Sequence, residues 1–390
     1  MKKILVINTK YRNLGGEDSN IHDEISLLSM NYDVDYIEFD NNEKFSIYDL
    51  VSFFTSSNYG SNKKLRQYLK QNSPDIAYVH NLWFKGNLGI FKILDSRGIK
   101  IINKIHNYRL TCSMTYSLYA HLQGNNYCYA CNLSNSNSRY FNKYFTPSYL
   151  KSIFLIKFSR NYLKKINKYN LILFVLNNHH REHLIKKGLS PENIKILYNP
   201  LKIQNYESIE YNSKSEFVLY AGMLTEEKGI NNLIEAWKKA DIEGLKLKIA
   251  GTVDNNIIDE ENFNNPNIEF LGYVPHTKLM RIMKKSRAVI TATKLLEGQP
   301  RLLCEASSFG VPSIYPSFGG MNEYFPNNYP FSFVQYNYLD LLEKLKKLID
   351  EDLLNIISKK VHSHVAEKLN HEYLLTKFEN NIKGHEVKNS

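Results

Sequence analysis

"AVITATKLLEGQPRLLCEASSFGVPSIYPSFGGMNEYF", Ala288 to Phe325, is the stretch on which the fold turns. It starts as an apolar run of strand type, and "VPSIYP" is a second such run. Between them, Gly298, Gln299 and Pro300 cannot easily continue a helix backwards. Pro300 suits a first helical position, so "PRLLCEASSFG" reads as a helix that opens there. Glu297 therefore falls in a loop, and Glu305 lies just over one turn inside the helix. The free N–H groups of a helix start attract anions, and a carboxylate on either side of them suits a phosphorylated, polyhydroxylated ligand.

The same alternation of strand and helix runs along the rest of the chain. "KILVIN", "NIHDEISLLSM", "YDVDYIEF", "PDIAYVH", "GIFKILDSRG", "IKIINKIH" and "LILFVL" fill the first half. "FVLYAG", "KGINNLIEAWKKA", "LKLKIAG" and "HTKLMRIMKKS" fill the second and lead into the opening stretch. Such alternation predicts parallel, doubly wound sheets. "NPLKIQNYESIEYNSKSE", Asn199 to Glu216, is polar and nearly aperiodic, which reads as a linker. The expected division is a Rossmann-like domain over 1–200, a linker over 201–216 and a second Rossmann-like domain over 217–368. A C-terminal helix over about 370–390 is expected to pack back on the first domain. Ligands of open parallel sheets bind at strand carboxyl ends, so a cleft between the domains is the expected site.

Composition narrows the class. The chain has 390 residues, 43% hydrophobic and 23% charged, which suits two folded domains and no long disordered tail. Fifty Lys and Arg against 39 Asp and Glu give a net charge of +11, pointing to an anionic partner. No stretch reaches the ~20 apolar residues of a spanning helix, and "MKKILVIN" does not read as a signal peptide. Four cysteines are too few for a disulfide framework. A cytoplasmic protein is expected, meeting lipid only peripherally, at the cytoplasmic face of the inner membrane.

The opening stretch resembles the group 1 glycosyltransferases of family 4, polysaccharide-biosynthesis type, on the GT-B fold. Their signature is Glu, seven residues and Glu, then Gly-x-Pro, then Gly-Gly-x-x-Glu. Here these are Glu297 and Glu305, Gly310 to Pro312, and Gly319, Gly320 and Glu323. The resemblance implies an α/β protein of two Rossmann-like domains facing each other across a cleft. Glu297, Gly298, Gln299 and Pro300 would then hold the donor sugar, the amides of Leu302 and Leu303 the diphosphate, and Glu305 the ribose hydroxyls. A carboxylate accepts from two vicinal hydroxyls, and a helix start favours phosphate.

Three further segments match in order. "LYAGMLTEEKGINNLIEAW" places Gly222 in the turn after a strand and Lys228 on the diphosphate, as a cation for the leaving group. The family's usual arginine is Met223 here, and Arg301 beside the helix start is the expected replacement. "KYRNLGGEDSN" resembles the family's glycine loop at Gly15 and Gly16. "HNYRL" matches the family's sugar-facing histidine at His106, followed by Asn107, whereas His80 reads as structural. His106, Glu297 and Lys228 are thus the expected catalytic residues.

Other features carry less. Cys112, Cys128 and Cys131, with His121 between, form a conceivable zinc loop, but free thiols are the default and no metal or other cofactor is expected. Cys304 reads as packed. Asp33 to Asp35, a D-x-D, reads as strand-edge acid. "SYLKSIFLIKFSRNYLKKINKY", Ser148 to Tyr169, has an apolar face and a basic one; it suits packing on the first sheet, contact with an anionic membrane, or both.

The expectation is a retaining, metal-independent, hexosyltransferase-like enzyme. It would move a sugar from a nucleoside diphosphate sugar, UDP-sugar favoured, to a cell-surface polysaccharide, lipopolysaccharide or lipid-linked glycan. No nucleic-acid partner is expected. The alternatives are a sugar-nucleotide epimerase of the same fold, or a non-catalytic anion- or membrane-binding protein with a decayed cleft.

Overall fold

The computed structural model describes residues 1–10, 16–44, 46–108, 149–169, 171–203, 209, 211–252, 258 and 260–383. They form two compact units. One takes the chain as far as Pro200 together with the segment from His371, and the other takes Leu201–Asn370.

The first unit is a parallel sheet of β1 (Lys3–Lys10), β2 (Asp33–Asp40), β3 (Ile76–Val79), β4 (Lys100–Ile105), β5 (Ile172–Val175) and β6 (Ile194–Ile196), in the order β2-β1-β3-β4-β5-β6. Its helices are α1 (Gly16–Leu28), α2 (Ile47–Thr55), α3 (Tyr59–Gln71), α4 (Gly89–Asp95), α5 (Tyr149–Lys168) and α6 (Asn178–Lys186). A central parallel strand is covered on both faces, so it needs a continuous apolar run in place of alternation. β1 shows this: Ile4, Leu5, Val6 and Ile7 are all at most 1% exposed. On the edge strand β2, Lys3 Nζ lies 3.5 Å from Asp33 and 3.0 Å from Asp35, and Tyr68 donates to Asp35, so these acids are tied up structurally. In α5, Tyr162 and Ile166 are buried in the core under the sheet.

The second unit is a parallel sheet of β7 (Phe217–Ala221), β8 (Lys246–Ala250), β9 (Ile268–Gly272), β10 (Ala288–Ile290), β11 (Ser313–Ser317) and β12 (Ser332–Val334). The order is β12-β11-β10-β7-β8-β9. Numbered from its own first strand, that is the 3-2-1-4-5-6 order of the dinucleotide-binding sheet, whose direction reverses between first and fourth strands, here β7 and β10. The helices are α7 (Ile230–Ala240), α8 (Glu260–Phe263), α9 (His276–Lys284), α10 (Arg301–Ser308), α11 (Tyr338–Lys346) and α12 (Glu351–Leu369). The polar segment before β7 is packed: Arg287 Nε donates to the Ser215 carbonyl at 2.6 Å, and Tyr211 donates to the Arg287 carbonyl at 2.7 Å. Its lack of periodicity reflects irregular backbone bonded to this unit.

After Asn370 the chain returns to the first unit as α13 (His371–Lys383). Phe378 stands 5.9, 5.7 and 5.7 Å, ring to ring, from Tyr32, Tyr78 and Phe174, and Lys100 donates to the Ile382 carbonyl. Among the described residues no helix is long and apolar enough to cross a membrane.

Candidate active site

A doubly wound sheet opens a crevice where its strand order reverses, because the connections from the two strands leave in opposite directions. In the second unit the carboxyl ends of β7 and β10 lie at that place, and the chain has made their loops fit closely. Gly222 ends β7 with a φ of +156°, and a Cβ on Gly251, at the end of β8, would lie 1.9 Å from the Gly222 carbonyl oxygen. Residues Glu226–Lys228 then form one 3-10 turn, and Gly229, with φ +69°, starts α7. A Cβ on Gly229 would sit 2.1 Å from the carbonyl oxygen of Ala292 in the loop after β10. The two loops are further joined by Lys294 N–H donating to the Glu227 carbonyl at 2.9 Å and by the Lys294–Glu226 ion pair.

This docking brings Lys228 to Glu297 from 69 positions away: Nζ lies 2.7 Å from Oε1, with each side chain about a quarter exposed. Thr293 Oγ1 approaches the same carboxylate oxygen at 3.5 Å. The helix beyond begins one residue later than its sequence suggests. Pro300 is the N-cap, with ψ 77°, and Arg301 is the first helical residue. A ψ of 77° is outside the helical range, and the proline ring fixes only φ, so Pro300 caps the helix without entering it. Among the described residues the amides of Leu302 and Leu303 have no acceptor, while Cys304 N–H already bonds the Pro300 carbonyl. They are the helix's orphan donors, and they point where an anion would gain from both hydrogen bonds and the helix dipole.

Glu305 is 7% exposed and is met by one guanidinium and one imidazole. Arg301 Nε donates to its Oε1 at 2.8 Å, one helical turn away, and His276 Nε2 lies 3.2 Å from the same atom. Both contacts fall on Oε1. Arg301, read from sequence as a stand-in phosphate cation, is thus engaged by Glu305 in this structure. Gln299 is buried, and the Gly298 carbonyl accepts from Tyr324 at 3.3 Å. Met223 is 60% exposed and brings no charge to the β7 turn. Cys304 is fully buried, and burial raises its thiol pKa far above the usual range, so it is packing and no nucleophile.

The first unit has a cluster of its own at the carboxyl ends of β3 and β4. His106 directly follows β4, and its ring stacks on His80 with centroids 5.2 Å apart and 18° between planes. His80 Nδ1 and His106 Nε2 are 2.9 Å apart. Burial pushes His80 down to about 4 and His106 well below the usual imidazole value, so both rings are neutral at pH 7. Behind them Glu24 Oε2, on α1, lies 3.8 Å from His80 Nε2, and Lys104 Nζ lies 2.5 Å from Glu24 Oε1. Tyr108 stacks on His180 at 4.3 Å and meets His179 Nδ1 at 2.8 Å through its hydroxyl, which fixes Tyr108 against α6. Gly16 is the first residue of α1; Gly15, Cys112, His121, Cys128 and Cys131 lie outside the described residues.

With this geometry in place, the comparisons with known proteins can be set beside it, and the family model falls within the second unit. Residues 202–364 match the sequence model of "glycosyl transferases group 1". The second unit is a group 1 glycosyltransferase domain. Over 147 residues the chain is 26% identical to the amylovoran biosynthesis glycosyltransferase AmsD of Erwinia amylovora, a match spanning 36% of this chain and 41% of that relative. It is also 26% identical over 294 residues to an uncharacterized glycosyltransferase of Methanocaldococcus jannaschii, covering 72% of each. The crystal structure of Anabaena HepE in complex with UDP and glucose superposes with a TM-score of 0.65 at 13% identity, covering 99% of this chain and 100% of that one. The fold is GT-B.

Within the group 1 domain the structure unites Gly222, Lys228, Glu297 to Leu303 and Glu305 around one sheet reversal, and adds His276. That histidine starts α9 after Pro275, at the exit of β9. The signal for it was positional only: a polar residue in the first turn of a helix at a strand's carboxyl end. In the first unit Glu24 and Lys104 were missed, although a lysine inside the apolar strand "KIINKI" demands a buried counter-ion.

Proposed function

We propose that the protein is a glycosyltransferase that moves a sugar from a nucleoside diphosphate sugar, with UDP favoured, to a hydroxyl of a polysaccharide, lipopolysaccharide or lipid-linked glycan. The carrying observation is the grouping of Lys228, Glu297, Glu305 and the unbonded amides of Leu302 and Leu303 at the β7/β10 reversal of the group 1 domain. A diphosphate takes Lys228 from Glu297 and accepts the two helix amides, which neutralises charge as the nucleotide leaves. Glu297, released, accepts from hydroxyls of the sugar. Glu305, already held through Oε1 by Arg301 and His276, offers Oε2 to the ribose. UDP is supported by the complex of HepE with UDP and glucose.

The transfer is read as retaining and metal-independent. The bond between the sugar's anomeric carbon and the diphosphate oxygen breaks, and the acceptor oxygen bonds that carbon on the same face. The acceptor's proton passes to the departing phosphate. His106 is the residue assigned to a hydroxyl of the donor sugar, with Asn107 next to it in the sequence, and the loop at Gly15 and Gly16 is assigned to phosphate or acceptor. The Lys228 ammonium and the partial positive charge of the helix-start amides supply the charge that a metal would otherwise bring.

A cytoplasmic enzyme with peripheral membrane contact completes the reading, and α2 supports it. Ile47, Tyr48, Val51 and Phe54, four positions on one helical face, are 48–65% exposed, and Tyr59 is 57% exposed. Basic side chains flank the Tyr59 and Phe54 end of this face: Lys63, Arg66 and Lys70 share a groove with Tyr59, and Lys157 of α5 lies 5.4 Å over the Phe54 ring. Apolar side chains beside a cationic border suit the interface of an anionic bilayer. Val51→Asp with Phe54→Asp should abolish co-sedimentation with phosphatidylglycerol vesicles; unchanged binding by that variant would count against this face.

The function is tested by thermal melting with UDP, GDP and ADP. A nucleotide at a hundred times its Kd stabilises by about 2.7 kcal/mol. UDP is expected to raise Tm, and Glu305→Ala and Lys228→Ala to remove the rise. Failure of all three nucleotides to shift the melting point refutes the reading.

A further inference from the structure

The cluster behind His106 is built from groups that rarely occur buried without a task. Glu24 is 2% exposed, His80 1%, Lys104 1% and His106 9%. Each ring has one nitrogen in the 2.9 Å contact between them, His80 Nδ1 to His106 Nε2. The other two nitrogens, His80 Nε2 and His106 Nδ1, are buried with no hydrogen-bond partner. One proton lies between the rings, so the tautomer of one ring dictates that of the other.

Glu24 breaks the symmetry. Its carboxylate faces His80 Nε2 at 3.8 Å and is itself paired to the Lys104 ammonium at 2.5 Å. A negative oxygen this close in a buried site attracts an N–H and repels a lone pair. The proton of His80 is therefore on Nε2, and His80 Nδ1 is a lone pair. His106 must then donate from Nε2, which leaves Nδ1 as its lone pair.

We infer that Glu24 and His80 are positioning residues whose relay holds His106 as the tautomer with an acceptor at Nδ1, so that this position takes a hydrogen bond from a sugar hydroxyl and rejects a group that only accepts. The meaning for a sugar rests on the proposed role of His106, whereas the tautomer itself does not. Burial keeps both imidazoles uncharged at neutral pH, so polarity is transmitted by dipoles and not by a titrating charge. Tyr78, edge-on to His80 at 4.6 Å, holds that ring in its plane, and His180 is the other titratable group near His106. Glu24, His80 and His106 also lie close enough together to be considered as metal ligands. A cation there would have to displace the Lys104 ammonium from Glu24 and break the contact between the rings, so the relay is the reading the geometry favours.

The experiment is two-bond 1H–15N correlation on deuterated protein with 15N-labelled histidine, at pH 7.5, with His80→Gln and His106→Gln used for assignment. Both rings are expected as Nε2–H tautomers by at least tenfold, without any ligand. In the pair-deleted variant Glu24→Gln with Lys104→Met, which removes both charges together and avoids an unpaired buried ion, the Nδ1–H form of both rings is expected to become populated. Nδ1–H rings in the wild type, tautomers unmoved in the variant, or about one zinc per chain retained through dialysis would each overturn the relay. The wild-type spectrum decides even where the variant does not fold. The functional arm compares Tm shifts. UDP should protect wild type and variant alike, while the extra protection from a UDP-sugar over UDP should fall at least tenfold in apparent affinity in the variant. Absence of any nucleotide protection would sink the glycosyltransferase reading and leave the tautomer result standing.

Discussion

Gly229→Ala tests the docking of the two loops that brings Lys228 to Glu297. Gly229 has φ +69°, and a Cβ there would lie 2.1 Å from the Ala292 carbonyl oxygen. Either the turn or the β10 loop must move by about 0.9 Å to reach the 3.0 Å below which Cβ contacts are essentially never seen. The left-handed conformation costs an alanine roughly 1–2 kcal/mol. The forced backbone shift adds about 1–3 kcal/mol by the measure of overpacked cores. The sum, about 2–5 kcal/mol, corresponds to a fall in Tm of roughly 5–20 °C for a unit of this size. Gly244→Ala is the control, because Gly244 has nearly the same φ, +73°, and nothing within 4 Å of its would-be Cβ. It should show only the conformational part. Urea unfolding of both variants gives the difference directly, and the UDP-induced Tm shift should vanish in Gly229→Ala alone. Equal destabilisation by the two variants, with nucleotide protection intact in both, would refute the close approach as the reason for the glycine.

Three more outcomes are expected. Lys228→Met should change stability by under ~1 kcal/mol, since a partly exposed ion pair contributes little, yet remove UDP protection; a large loss of stability would show Lys228 to be structural. Lys85→Met leaves the buried Asp49 carboxylate without its 2.8 Å partner, and breaking such a pair costs about 3–5 kcal/mol, read by urea unfolding; a cost under ~1 kcal/mol would contradict it. Acid should destabilise the first unit early: burial pushes His80 down to about 4 and His180 to about 3, below an unfolded value near 6.5. The unfolded chain then binds more protons, so stability is full above about 6.5 and falls as pH drops towards those values, by up to about 1.4 kcal/mol per pH unit for each histidine. Urea midpoints that stay flat from pH 7 to 5 would exclude this.

Much of this was legible in the sequence because local rules and the global fold agree. "KILVIN" and "LILFVL" are strands that need both faces covered, and the glycine, proline and glutamate spacing around Glu297 fixes a loop followed by a helix start. What escaped was pairing across distance. Nothing local shows that Lys228 meets Glu297, since the contact depends on two loops made adjacent by the order of the strands. Arg301 was read as free for phosphate because a sequence does not show that Glu305, four residues on, has already taken it. Glu24 in "HDEISLL" looks like an ordinary solvated helix acid. Only the lysine inside β4 betrays that a charge must be answered in the interior, and the sequence does not name which acid answers it.

Leu201 N–H donates to the Leu369 carbonyl at 3.2 Å, so the second unit begins and ends at one point. Among the described residues the chain passes out of the first unit after Pro200 and comes back at His371 to place Phe378 among Tyr32, Tyr78 and Phe174. In genetic terms the second unit is a cassette spliced between two parts of its host. A fragment stopped at residue 200 lacks the helix that sets Phe378 among those rings, so truncation at the first join removes a piece of the first unit's own core.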